Sequence, residues 1–111
     1  MDWNILENLS QLEEIKQKSG DKPVLIFKHS TRCSISGMAW DRLKRNWKKE
    51  DSEKVTPYFL DLIRHREISN QIEKEFSVYH ESPQVILVKS GKAVYDNSHM
   101  GISYADFMGR V

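Results

Sequence analysis

Cysteine is almost absent from these 111 residues: Cys33 stands alone. A lone thiol excludes a disulfide within the chain, and with it the stapled scaffold of a small secreted domain; it fits a reducing compartment. An excess of charge is also lacking. The 17 Lys and Arg residues nearly cancel the 16 Asp and Glu residues, leaving a net charge of +1. No broad field therefore exists to hold nucleic acid or an anionic membrane, and neither is expected as a partner. No apolar run approaches the roughly 18 residues that a spanning helix needs. The opening stretch MDWNILENLSQLEE is acidic and helix-like, where a secretory leader would be basic and then apolar. Repeats and low-complexity tracts are missing too. The length suits one domain over residues 1–111, and the expected setting is soluble and cytoplasmic.

What is present is an alternation of helix and strand patterns. Ile5, Leu6, Leu9, Leu12 and Ile15 recur at helical spacing, and Ser19-Gly20-Asp21 then forms a turn. Val24 to Phe27 is a short continuous apolar run, as in a strand buried on both faces. Ile35, Met38, Ala39, Leu43 and Trp47 mark a helix face, with Arg45, Lys48 and Lys49 gathered at its end to suit the helix dipole. Tyr58, Leu60 and Leu62 alternate after Pro57, whose missing N–H suggests an edge strand. Ile68, Ile72 and Phe76 predict an amphipathic helix ending near Ser77. Val85–Val88, the turn Ser90-Gly91-Lys92 and Ala93–Tyr95 read as a hairpin, and Ser103 with Asp106 resembles a capping box opening a last helix. The order is α-βαβα-ββ-α. It predicts an α/β fold with a mixed four-stranded sheet, helices on both faces and an added N-terminal helix.

Cys33 falls where the first strand ends and a helix begins, in FKHSTRCSISGMAW. Its neighbours Ser30, Thr31, Arg32, Ser34 and Ser36 are poor core material, so a working thiol is a better reading than a buried hydrophobe. The helix end favours a thiolate by only about 0.3–1 kcal/mol. Further stabilisation has to come from hydrogen bonds to the sulfur, with the Ser36 hydroxyl and the N–H groups of Ile35 and Ser36 as donors, helped by Lys28 or Arg32 if either points inward. Cys-Ser-Ile-Ser keeps the attacking sulfur of a C-x-x-C site and replaces the resolving one by Ser36. A mixed disulfide on Cys33 must then be released by an outside thiol. His29, His65, His80 and His99 have no metal-like spacing, and no metal site is expected. The basic run from Arg42 to Lys49 reads as a solvated helix face.

VLIFKHSTRCSIS, FSVYHESPQVILVKSGKAVY and NSHMGIS together resemble the active-site turn, cis-proline region and last turn of monothiol bacilliredoxins of the YtxJ type, within the thioredoxin-like superfamily. The superfamily often has proline one or two positions after the cysteine, where this chain has Ser34 and Ile35. The resemblance implies a thioredoxin-like fold and a monothiol oxidoreductase of the cytoplasm that removes bacillithiol, or a similar low-molecular-weight thiol, from protein mixed disulfides. It implies Cys33 and Ser36 as catalytic residues, Arg32, Ser34, Ser82 and Pro83 as substrate-binding, and a cis bond at Ser82-Pro83, with Ser82 offering its backbone to an extended substrate. The small thiol is then a co-substrate, with no tightly bound cofactor, and the partners are S-thiolated client proteins and an external reductase. Two other functions stay open: an iron–sulfur carrier of the monothiol glutaredoxin style, and a redox-inert adaptor.

Overall fold

A computed structural model describes residues 3–111; Met1 and Asp2, which begin the acidic opening stretch, lie outside the described residues. In chain order the elements are β1 (Asn4–Ile5), α1 (Ser10–Lys18), β2 (Val24–His29), α2 (Ser34–Asn46), α3 (Asp51–Lys54), β3 (Thr56–Asp61), α4 (Arg66–Phe76), β4 (Gln84–Lys89), β5 (Lys92–Ser98), a 3₁₀ turn (His99–Gly101) and α5 (Tyr104–Met108). The sheet order is β1-β3-β2-β4-β5. β1 and β2 run parallel to β3, while β4 is antiparallel to β2 and to β5. The sheet is mixed, as expected, but has five strands rather than four.

The extra strand corrects the reading of the opening segment. Helical spacing runs from Ile5, yet α1 starts only at Ser10. Asn4 and Ile5 pair instead with Tyr58 and Phe59, and the Leu6 N–H continues the ladder to the Phe59 carbonyl at 2.9 Å. The Gln11 side chain closes the link: its Oε1 accepts from the N–H groups of Glu7 and Asn8, at 2.7 and 2.8 Å, and its Nε2 donates to the Ile5 carbonyl at 2.9 Å. The free backbone edge of β3 outweighs apolar spacing here, because unpaired strand groups gain partners by adding a strand.

β3 is accordingly not an edge strand. Thr56 N–H donates to the Pro23 carbonyl while the Phe59 carbonyl serves Leu6, so alternate residues of β3 bond to opposite neighbours. Pro57 shares the Phe59 side, where β1 begins only opposite Tyr58. Its missing N–H therefore breaks no ladder bond, and its carbonyl accepts from Asn4 Nδ2 at 3.1 Å.

The hairpin between β4 and β5 turns on Ser90 and Gly91, both with positive φ (51° and 77°), which is the two-residue turn that suits twisted strands. β5 continues past the expected Tyr95 to Ser98. Two elements had no sequence pattern of their own. α3 is anchored by buried Asp51, which accepts from the Lys48 N–H at 2.8 Å and from the Tyr104 hydroxyl. Burial, with the Asp51 carboxylate adding to it, pushes the Tyr104 phenol up to about 12. The 3₁₀ turn is the other.

Strand alternation divides the core in two. Val24 and Ile26 face Leu12 and Ile15 of α1 and Ile68, Ile72 and Phe76 of α4. Leu25 and Phe27 face Ala39 and Leu43 of α2 and Phe107 of α5, with Trp3, Trp40 and Trp47 packed alongside. No helix among the described residues is long and apolar enough to cross a membrane. Ile72 is a fully buried member of the first cluster. Ile72→Ala is expected to destabilise the fold by about 2–5 kcal/mol, read as a lowered urea midpoint with an unchanged slope.

Candidate active site

β2 ends at His29, and the chain turns through Ser30–Cys33 into α2. Cys33 is the residue that caps α2, with extended φ and ψ of −117° and 118°. Its N–H donates to the Ser30 carbonyl at 3.2 Å, and its own carbonyl accepts from Gly37 N–H at 3.2 Å. The thiol is half-buried and free, and it accepts no capping hydrogen bond. The first-turn N–H groups of α2 have no partner within the helix and point toward this end. Arg32, Ser34 and Ile35 flank the thiol and are exposed.

Ser36 is occupied elsewhere. Fully buried, its Oγ accepts from the Ser30 N–H at 3.0 Å and lies 2.8 Å from His29 Nδ1. Burial pushes the His29 pKa below that of an ordinary histidine, although the Asp61 carboxylate opposes it. A neutral ring with its proton on Nε2 accepts the Ser36 O–H at Nδ1. The hydroxyl thus ties the strand end to the first turn of the helix and makes no hydrogen bond to the Cys33 sulfur. The sequence suggested a donor to the thiol; the tertiary structure provides a brace for the turn that carries it.

Two further segments share this end of the sheet. Lys28 is the cross-strand partner of Gln84, so the strand end at His29 approaches the segment just before β4. There the Ser82–Pro83 bond is cis. Pro83 is buried, its carbonyl accepts from His99 N–H at 3.0 Å, and Gln84 pairs with Ser98. Among the described residues neither the N–H nor the C=O of Ser82 has a hydrogen-bond partner, and its Oγ is buried without one. His99 adopts a positive φ of 53°, and its Nε2 lies 3.2 Å from the Glu81 carboxylate. The Cys33 turn, the Ser82–Pro83 segment and the 3₁₀ turn thus meet at one sheet end. No group of three or more His, Cys, Asp or Glu side chains among the described residues is placed to hold a metal ion.

A family model for monothiol bacilliredoxin BrxC matches residues 4–107. The chain belongs to that family. A solved structure described as a candidate oxidoreductase with a thioredoxin fold is similar at 27% identity, over 97% of this chain and 92% of that one, with a TM-score of 0.81. Thioredoxin from Malassezia sympodialis is 18% identical over 97% and 86% of the two chains, with a TM-score of 0.74. Thioredoxin from Fasciola hepatica is 14% identical over 96% and 94%, with a TM-score of 0.72. At these identities the two thioredoxins speak for the fold alone. The bacilliredoxin family membership and the oxidoreductase likeness assign the chain a thiol redox role, and Cys33 is its only sulfur able to carry one.

Lys28, which the sequence offered as a helper of the thiolate if it points inward, is turned to the α4 face and meets His80 instead of the thiol. It follows Ile26 on the face toward α4 and is fully buried. Burial lowers its pKa to about 8, against the opposing pull of Glu73 and Glu81. The signal was in the sequence: a lysine closing an apolar run, two residues beyond a core isoleucine, has to share its face.

Two outcomes follow from these contacts. Ser36→Ala leaves the Ser30 N–H without its partner and His29 Nδ1 without a donor; a loss of about 1–3 kcal/mol is expected in urea unfolding. For Lys28, the unfolded chain holds a proton more readily than the folded one between about pH 8 and 10.5. Its ionisation opposes folding by roughly 3 kcal/mol below that window and ceases to do so above it. Stability relative to Lys28→Met is therefore expected to rise from pH 8 to 10.5, measured by denaturant midpoints across that range.

Proposed function

We propose that the protein removes bacillithiol, or a similar low-molecular-weight thiol, from client proteins in mixed disulfide with it, working in the cytoplasm through Cys33. The observation that carries this reading is a lone, half-buried thiol capping α2 at the sheet end that also holds Ser82–Pro83, in a chain of the monothiol bacilliredoxin family.

The Cys33 thiolate attacks the small thiol's sulfur; a Cys33–sulfur bond forms, the mixed disulfide breaks, and the client leaves as a thiolate that takes a proton from water. Client sulfur is thereby reduced, and Cys33 is left in disulfide linkage with the small thiol. With one cysteine in the chain, no internal sulfur can resolve this adduct. A second small thiol or an external reductase attacks the small thiol's sulfur, takes it away as a disulfide, and returns Cys33 as thiolate.

Ser82 supports the docking half of the scheme. Its N–H and C=O have no partner among the described residues, so an extended client segment can bond to both, as in strand addition. In this reading Arg32 and Ser34, exposed on either side of Cys33 in the chain, meet the small thiol's polar groups. The first-turn N–H groups of α2 can receive negative charge developing on sulfur.

The test is transfer from a peptide whose single cysteine carries bacillithiol. The expected outcome is an adduct of one bacillithiol on Cys33 by mass spectrometry, with release of free peptide thiol. Cys33→Ser is expected to lose both, and transfer that persists in this variant refutes the reading.

A further inference from the structure

A buried polar cluster lies on the α4 face of the sheet, just behind the segment that leads into Ser82–Pro83. Lys28 Nζ sits 2.8 Å from His80 Nδ1, and Ser69 Oγ, fully buried on α4, lies 3.2 Å from the same nitrogen. Among the described residues no carboxylate comes within ion-pair distance of Lys28. Burial, with the Lys28 charge adding to it, holds the His80 pKa below its ordinary value, so the ring is neutral and its Nδ1 lone pair receives the lysine N–H.

The same short segment is held at its other polar groups. His80 N–H donates to Glu73 Oε2 at 2.7 Å. Gln84, fully buried and the cross-strand partner of Lys28, donates from Nε2 to the Tyr79 carbonyl at 2.9 Å and accepts from Glu81 N–H at 3.4 Å. Tyr79, His80 and Glu81 are thus fastened from β2, β4 and α4, while the backbone groups of the next residue, Ser82, have no partner among the described residues. An aliphatic side chain at position 28 would fill this space without the desolvation that a lysine brings. What only the lysine supplies is a strong hydrogen bond to the His80 ring.

We infer that Lys28 is a positioning residue for the redox site, acting through His80 to hold the Tyr79–Glu81 segment so that the Ser82 backbone stands ready for the client chain. The inference rests on the docking role given to Ser82 above. Lys28 touches neither thiol nor client. The groups facing it are His80 and Glu81 from the loop and Ser69 and Glu73 from α4; Arg66, at the start of α4, acts on His80. Both glutamates favour the ammonium form, and a charged donor makes a hydrogen bond roughly twice as strong as a neutral one. The hold on the segment consequently weakens when Lys28 loses its proton.

The experiment divides two rates. Alkylation of Cys33 by iodoacetamide reads the thiol alone, whereas exchange with the bacillithiol-bearing peptide reads thiol and docking together. For Lys28→Met at pH 7, alkylation is expected to stay within about twofold of wild type, and the ratio of exchange to alkylation to fall at least about fivefold. In wild type the ratio is expected to decline between pH 7 and 9, and in the variant to stay flat. A ratio in Lys28→Met within twofold of wild type overturns the inference. A second measurement needs no variant and no turnover. In native-state hydrogen exchange of wild type, corrected for intrinsic rates, the His80 and Glu81 amides are expected to lose protection from pH 7 to 9 relative to amides of β4. Unchanged protection there overturns the inference even if Lys28→Met fails to fold. Absence of any exchange by wild type would instead count against the proposed function, while the amide measurement still decides whether Lys28 holds the segment.

Discussion

The pairing of β2 with β3 on one side and β4 on the other is the constraint from which the rest of the structure follows. With both edges paired and helices packed on both faces, β2 cannot shift register without turning its side chains to the wrong layer. Setting Lys28 against Gln84 brings the end of β2 and the approach to β4 to one place. The thiol turn and the Ser82–Pro83 segment are neighbours for that reason, although some fifty residues of chain separate Cys33 from Ser82. The 3₁₀ turn joins them because Gln84 also pairs with Ser98, one residue before His99.

Two side chains that leave β2 in opposite directions carry this geometry into the site. His29 points into the aromatic layer, near Phe27 and Phe59, and meets Ser36. Lys28 points toward α4 and meets His80. Each brings a nitrogen into a largely apolar layer and finds a single side chain from the next loop or helix turn. Polar groups in such places are held in one arrangement, since any other leaves a donor or acceptor without a partner. The site is framed by a thiol turn braced on one face of the sheet and the approach to Ser82–Pro83 held on the other.

The position of Cys33 could be read before the fold was known, whereas the contacts of its neighbours could not. The polar surroundings of Cys33 marked it as a working thiol at a helix start, and it caps α2 half-buried. Ser36, from the same short string, looked like a donor to sulfur; helix geometry instead turns it inward to Ser30 and His29. Ile5 fits a helical repeat and lies in a strand, because repeat spacing does not register an unpaired β3 edge elsewhere in the sheet. Pro57 carried the right physics to the wrong position: its missing N–H does face an open stretch, but β1 covers the residues that follow. α3 depends on Asp51 reaching Tyr104, a contact across more than fifty residues that no local pattern encodes.

The sequence by itself determined the α/β order, the buried central strand and a lone thiol with no second cysteine to pair with. These depend on residue type and short-range spacing, which a chain carries whether folded or not. Only the tertiary structure decided what stands around that end of the sheet: Ser36 as a brace, Ser82 with no backbone partner among the described residues, and Lys28 in the interior beside His80. Those assignments depend on strand register and on helices packed across the sheet. Such long-range contacts form only when burial and hydrogen bonding throughout the domain together outweigh the entropy of ordering the chain.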